Sequence, residues 1–194
     1  MRRGTLPGVL LVLAACRGTL SPLSNRVKVG QEAYVVVVAD GEDGSSDLFA
    51  SSTGGGMAWQ ITFTRVDERL PALSPDGISL AFVRSRATGD TAAVHISVMN
   101  LLNGAERQVE LPAGVRADQL AWSPDGSRFY LRSASQVLVS PAPPAPTAFA
   151  PLSALDRLAA ESAFVVLLGT PPTVAAERCV GGDGLCVRLG DGSV

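Results

Sequence analysis

Leu73-Ser74-Pro75-Asp76-Gly77 returns 49 positions later as Trp122-Ser123-Pro124-Asp125-Gly126. The flanks agree as well. Pro71-Ala72 and Leu120-Ala121 stand before the two copies, and Ile78-Ser79-Leu80-Ala81-Phe82-Val83-Arg84 and Ser127-Arg128-Phe129-Tyr130-Leu131-Arg132 follow them. Each copy reads as strand, tight turn, strand. Pro75 and Pro124 preset φ to about −65° at the first central turn position, Asp76 and Asp125 bond nearby backbone, and Gly77 and Gly126 take the positive φ from which the next strand starts. A period of about 40 to 50 residues in an all-strand pattern is that of propeller blades. The expected fold class is therefore all-β: a partial β-propeller of about four antiparallel blades, as an open or truncated ring.

An earlier unit is found by laying Gly30 on Gly77, which sets Gln31 to Val38 against Ile78 to Ser85 and, with a one-residue slip, Leu48-Phe49-Ala50-Ser51 against Ile96-Ser97-Val98-Met99. This unit lacks only its outermost piece or turn. Four successive valines, Val35 to Val38, predict a strand buried on both faces, as between stacked blades. Gly54-Gly55-Gly56 and Asn103-Gly104 are hairpin signals. The third unit returns through Gln136-Val137-Leu138-Val139 and then meets prolines 141, 143, 144, 146 and 151. Missing amide donors exclude a central strand there and predict an extended surface loop. Leu152 to Ala163 fits a helix, with Ser153 and Asp156 spaced as a capping box, but its match to Asp118-Gln119-Leu120-Ala121-Trp122 favours a strand. Phe164 to Leu168 would then be its partner in a degraded fourth unit. The last hairpin is Arg178-Cys179-Val180 against Leu185-Cys186-Val187-Arg188. If Gly181 to Gly184 is the loop, Val180 and Leu185 close it, and Cys179 faces Cys186 at about 4.5 Å between Cα atoms, within disulfide reach. Two free buried thiols are the alternative.

The first sixteen residues carry Arg2 and Arg3, then an apolar run from Leu6 to Ala15. That is the pattern of a secretory signal peptide, about half the ~20 residues needed to span a bilayer. Its end, Leu13-Ala14-Ala15-Cys16, resembles a bacterial lipobox. The resemblance implies that Cys16 is acylated and becomes the first mature residue, tethering the chain to a membrane by lipid; an ordinary signal peptide with a cysteine at that place is the alternative. Arg17, where an aspartate would retain a lipoprotein at the inner membrane, implies the outer one. Residues 1–15 thus read as signal peptide, 16–28 as lipidated tether and 29–194 as repeats. Removing Arg2 and Arg3 leaves fourteen basic against eighteen acidic groups, a formal charge of −4, with no pull toward nucleic acid. Export permits a disulfide between Cys179 and Cys186.

Chemistry-bearing motifs are few. No serine has glycine at both −2 and +2, so a hydrolase elbow is missing from this stretch. The single histidine, His95, sits in the apolar run Val94 to Val98 and reads as a strand residue near a blade surface. Asp40, Glu42, Asp43 and Asp47 depart from calcium-loop spacing and read as a solvated hairpin loop. Gly54 to Gly56 has no following lysine, so it is no phosphate loop. No cofactor is implied, and zinc at the two cysteines would lack further ligands. Charge near turns comes from Arg65, Asp67, Glu68, Arg84, Arg86 and Arg132, which mark a region and not a site.

The Ser-Pro-Asp-Gly corners, strands such as Leu80-Ala81-Phe82-Val83, hairpins such as Asp47-Leu48-Phe49-Ala50 and the Ile61-Thr62 ending resemble the WD-like repeats of TolB-type propellers, clearly over residues 29 to about 140 and weakly over 150 to 194. In that family the aspartate matched by Asp76 and Asp125 is structural, so Ser74, Pro75, Asp76, Gly77, Ser123, Pro124, Asp125 and Gly126 are assigned to turns and no catalytic residue is carried over. Such rings usually have six blades. The 166 residues from 29 to 194 at about 42 each make four, and the ending Gly190-Asp191-Gly192 looks like a hairpin cut off. Two functions follow as expectations. One is a non-catalytic envelope lipoprotein whose loops bind a protein, peptide or glycan. The other is the substrate-gating propeller of a prolyl-oligopeptidase-like hydrolase whose catalytic domain lies elsewhere. An open four-unit array would expose strand edges and tend to dimerise or aggregate.

Overall fold

The computed structural model describes residues 21–24, 26–41, 44–86, 93–134, 136–145, 148–152, 160, 163–164, 174–179 and 185–189. Apart from helical residues at 160 and 163–164, the described residues are all-β and antiparallel. The first sheet joins β1 (Tyr34–Asp40), β2 (Ser46–Ser52) and β4 (Trp59–Gln60), with the short β3 (Gly56–Met57) in the connection. The second runs in chain order through β5 (Asp67–Leu73), β6 (Ser79–Arg86), β7 (Ala93–Asn100) and β8 (Glu106–Glu110). The third does the same through β9 (Gln119–Trp122), β10 (Arg128–Ser133), β11 (Gln136–Pro141) and β12 (Ala150–Pro151). A returning hairpin, β13 (Val174–Arg178) and β14 (Leu185–Leu189), adds to β3 through Cys186↔Met57 and Val187↔Gly56.

Both repeated corners have the same hydrogen bonds. Gly77 N–H donates to Ser74 O at 2.8 Å and Gly126 N–H to Ser123 O at 2.9 Å, while Ser74 Oγ and Ser123 Oγ donate to Asp76 and Asp125. Each serine Oγ also accepts an amide N–H, from Ser79 at 2.8 Å or Arg128 at 3.0 Å. The glycines hold φ of +67° and +69°, and Gly30 stands at +74°. These corners are stacked: a Cβ on Gly77 would lie 3.7 Å from Gly30 Cα, and one on Gly126 would lie 3.7 Å from Pro75 Cδ. Equivalent corners of successive units therefore lie side by side, as blades of a partial propeller require.

Cross-strand neighbours share a face, so each sheet has two faces with different partners. Leu80, Phe82 and Met99 pack with Tyr34, Leu48, Ala50 and Ile61 of the first sheet. The opposite face of the second sheet, with Ala81, Val83, Ile96 and Val98, packs on Leu120, Trp122, Phe129 and Leu131 of the third. Trp122 also donates its Nε1–H to Ala72 O at 2.8 Å, bonding the third unit to the second.

Several expectations are corrected. Val35 to Val37 are half-buried and Val38 is 41% exposed, so β1 is not buried on both faces. It is an edge strand, and among the described residues its outer face meets only the small cluster of Phe49 and Ala58. Among the described residues, what the first unit lacks is the strand equivalent to β5 and β9, not an outermost piece. In that place Ser21–Leu23 turns away: Arg26 N–H donates to Leu23 O at 3.0 Å, Ser21 Oγ to Leu101 O at 2.6 Å, and Leu23 is fully buried.

The proline-rich stretch is partly strand. Pro141 ends β11 and Pro151 pairs with Leu138 on the outer edge, where a missing donor costs no ladder bond. Ala160, Ala163 and Phe164 are helical, against the expected fourth strand pair. Spaced four apart on a helix, Ala160 and Phe164 bury together against Ala121 and Tyr130, and the Arg132 guanidinium lies 4.4 Å from the Phe164 ring centre.

Candidate functional site

Beside the connection that leads from the first sheet into the second lies a cleft of about 590 Å³ lined by Thr64, Arg65, Val66, Arg84, Val94, His95, Gln108 and Glu110. Its geometry follows from strand register. Glu68 pairs with Arg84, Arg84 with His95 and His95 with Glu110, so four ionisable side chains form one row across β5 to β8 on a single face. That face is the one turned to the first unit, where Phe82 ends the apolar core and the Arg84 guanidinium sits 5.1 Å from its ring centre.

Glu68 is fully buried. Its Oε1 accepts from Arg84 Nε and from Thr64 Oγ1, both at 2.9 Å, and Arg84 NH2 lies at 2.8 Å, while Oε2 has no partner. Arg84 also pairs with Glu106, which accepts from Ser97 Oγ at 2.7 Å. Two carboxylates thus share one buried guanidinium. His95 adds a second orphan, since its Nε2 is buried without a hydrogen-bond partner.

The cleft wall is held from below by a second carboxylate. Asp47, 2% exposed, accepts from Gln60 Nε2 at 2.9 Å, Thr62 Oγ1 at 3.3 Å and Thr64 N–H at 3.4 Å. Thr62 Oγ1 in turn accepts from Leu48 N–H at 2.9 Å, and Ser45 Oγ donates to Thr64 O at 2.9 Å. Between these two pinned threonines Phe63 stands 75% exposed. A large apolar side chain is thus held out in water by a rigid backbone on either side.

Of the charged residues singled out in the sequence, Arg65 and Arg84 line this cleft and Glu68 lies beneath it. Asp67 accepts from Ser46 N–H at 3.2 Å, and Arg132 belongs to the third unit. The side chain of Arg86 is outside the described residues, as are Cys16, Glu42 and Asp43. Asp47 is no solvated loop residue but a buried clamp. Sequence reasoning passed over Phe63 and Thr64 and read Thr62 only as the end of a repeat; the signal was a lone phenylalanine between two threonines.

A second, smaller cavity of about 260 Å³ sits at the stacked corners, between Asp76, Trp122, Asp125 and Pro143 among others. Hydrogen bonds from Ser123 and Ser127 hold the Asp125 carboxyl down to about 2, and the Ser74 hydroxyl lowers that of Asp76. Burial, with the Asp76 charge nearby, pushes Tyr34 up to about 12, and its hydroxyl donates to Gly77 O at 2.6 Å. These carboxylates are occupied by their own turns. At the other end of the chain Cys179 and Cys186 are joined by a disulfide with Cα atoms 5.0 Å apart. The register there differs from the expected one: Arg178 pairs with Leu185 and Glu177 with Cys186, placing Cys179 beyond the ladder and not opposite Cys186.

No family model matches the sequence, and no curated protein matches it. Among solved structures the chain is similar to a putative TolB from Agrobacterium tumefaciens, at 22% identity over 63% of this chain and 43% of that one, with a TM-score of 0.49. It is also similar to TolB from Acinetobacter baumannii, at 16% identity over 59% of this chain and 29% of that one, with a TM-score of 0.46. The chain spans less than half the length of either.

Proposed function

We propose that the protein is a non-catalytic lipoprotein of the cell envelope, held at the outer membrane through Cys16 and facing the periplasm, whose partial propeller is a docking platform for a protein partner. The observation that carries this reading is the clamped wall of the inter-unit cleft. Two buried carboxylates, Asp47 and Glu68, fix Thr62 and Thr64, so Phe63 and the cleft beside it are presented without an ordering cost at the moment of binding. Buried charge is costly unless fully paired, and here it secures a surface feature and not the core. The sole histidine has strand neighbours Arg84 and Glu110, which suits a binding wall better than an acyl-transfer site.

The test is site-specific photo-crosslinking in intact cells, with the photoreactive residue at position 63 and a control at Leu102, also exposed but beyond the opposite ends of β6 and β7. A discrete envelope-protein adduct from position 63 and not from 102 is the expected result. Equal labelling from both positions, or none, removes the platform reading. Labelled palmitate incorporation that disappears in Cys16→Ala tests the anchor separately.

A further inference from the structure

We infer that the cleft is a receptor for a lysine side chain. This rests on the platform reading and names what that platform holds.

Charge decides the sign. Glu110 lines the cleft with Arg65 and Arg84, and two further carboxylates, Glu68 and Glu106, lie behind it on Arg84. Arg84 is already committed: its Nε and NH2 go to Glu68 and its NH1 to Glu106. An incoming anion would meet only the exposed Arg65, with Glu110 opposing it. An incoming cation meets the surplus carboxylate, Glu110, beside the His95 ring, whose buried Nε2 has no hydrogen-bond partner. Orphaned buried polar atoms are uncommon in folded proteins, and those on a cavity wall mark where a ligand completes the hydrogen bonding.

Shape decides the kind of cation. Val66 and Val94 line the same cleft, so a ligand needs an apolar stem that lies along them and a compact charged end. A lysine side chain has both: four methylenes that pack on apolar surface and an ammonium with three donors. Glu110 and Gln108, two apart on β8 and so on one face of it, offer acceptors to that ammonium beside His95. A divalent metal is the poorer fit, since no group of three or more metal-ligating side chains occurs among the described residues. Phe63, one residue from the wall, would then cover the apolar neighbour of that lysine in a partner protein.

The experiment uses the whole protein labelled with 13C-histidine, in which His95 is the single reporter. The probes are Nα-acetyl-lysine N-methylamide, the uncharged norleucine analogue and the glutamate analogue. The lysine derivative is expected to move the His95 ring resonance saturably and to bind about tenfold tighter than norleucine, with the gap shrinking as salt rises. Glu110→Gln, at an exposed position that leaves the fold intact by circular dichroism, is expected to remove most of that preference. Equal binding of lysine and norleucine, preference for glutamate, or no saturable shift overturns the inference. Because the probe is a free amino-acid derivative, such a failure leaves the crosslinking result at position 63 standing, and a failed crosslink leaves the lysine titration standing.

Discussion

Arg84→Met is the perturbation that examines the structure most directly. Glu68 is fully buried, and Arg84, whose side chain is 15% exposed, is the cation paired with it. Removing the guanidinium leaves Glu68 with the Thr64 hydroxyl alone and also releases Glu106. Breaking a buried pair from one side costs about 3–5 kcal/mol, because an uncompensated charge remains in a poorly solvated place. A domain of this size has about 5–15 kcal/mol in all, so the variant is expected to lose a large part of its resistance to urea. The double variant Glu68→Gln/Arg84→Met removes the stranded charge, and it is expected to recover at least about 1 kcal/mol of that loss. Urea unfolding followed by tryptophan emission reads both ends of the array, since Trp59 belongs to the first unit and Trp122 to the third. A cost under about 1 kcal/mol for Arg84→Met, or a double variant no more stable than the single, would show that Glu68 is not a buried ion-pair partner. The clamp under the cleft would then be wrong.

Other outcomes follow from individual contacts. Trp122→Phe keeps the ring near Phe129 but strands the Ala72 carbonyl, and is expected to cost about 1–3 kcal/mol in the same assay. Gly77→Ala and Gly126→Ala force a Cβ onto backbone at φ +67° and +69°, and each is expected to cost about 1–2 kcal/mol, seen as a lowered melting temperature. Asp76 and Asp125 have folded-state values below the ordinary 3.8, so the stability they contribute is present above about pH 4 and is lost as pH falls toward 2. Thermal melts of Asp125→Asn between pH 5 and 2 are expected to show a flatter acid limb than the parent protein. Reduction of Cys179–Cys186, which are 7 positions apart, is expected to remove about 2 kcal/mol on the chain-entropy account and to speed proteolysis within the β13–β14 hairpin.

The amino-acid sequence by itself determined the repeat and its corners. A serine, a proline, an aspartate and a glycine in that order define a turn through bonds no longer than five residues, such as Ser79 N–H to Ser74 Oγ. Strands β5 to β7 and β9 to β11 follow from apolar stretches near those turns, and the polar β8 from the Asn103-Gly104 hairpin signal before it, which is local information too. The tertiary structure decided everything that depends on which sheet lies against which. Val35 to Val38 look like a buried strand because composition reports hydrophobicity and not neighbours; among the described residues β1 has a packed sheet on one face only. Ala160 and Phe164 match a strand template by alignment, yet Tyr130 and Ala121 offer an apolar face that a helix covers. The cleft was least legible of all. Asp47, Glu68, Arg84 and His95 are spread over 49 positions, and strand register, cumulative over two hairpins, brings Glu68, Arg84 and His95 into one row. Burial then turns two of the carboxylates from surface charge into the clamp that holds Phe63 in water.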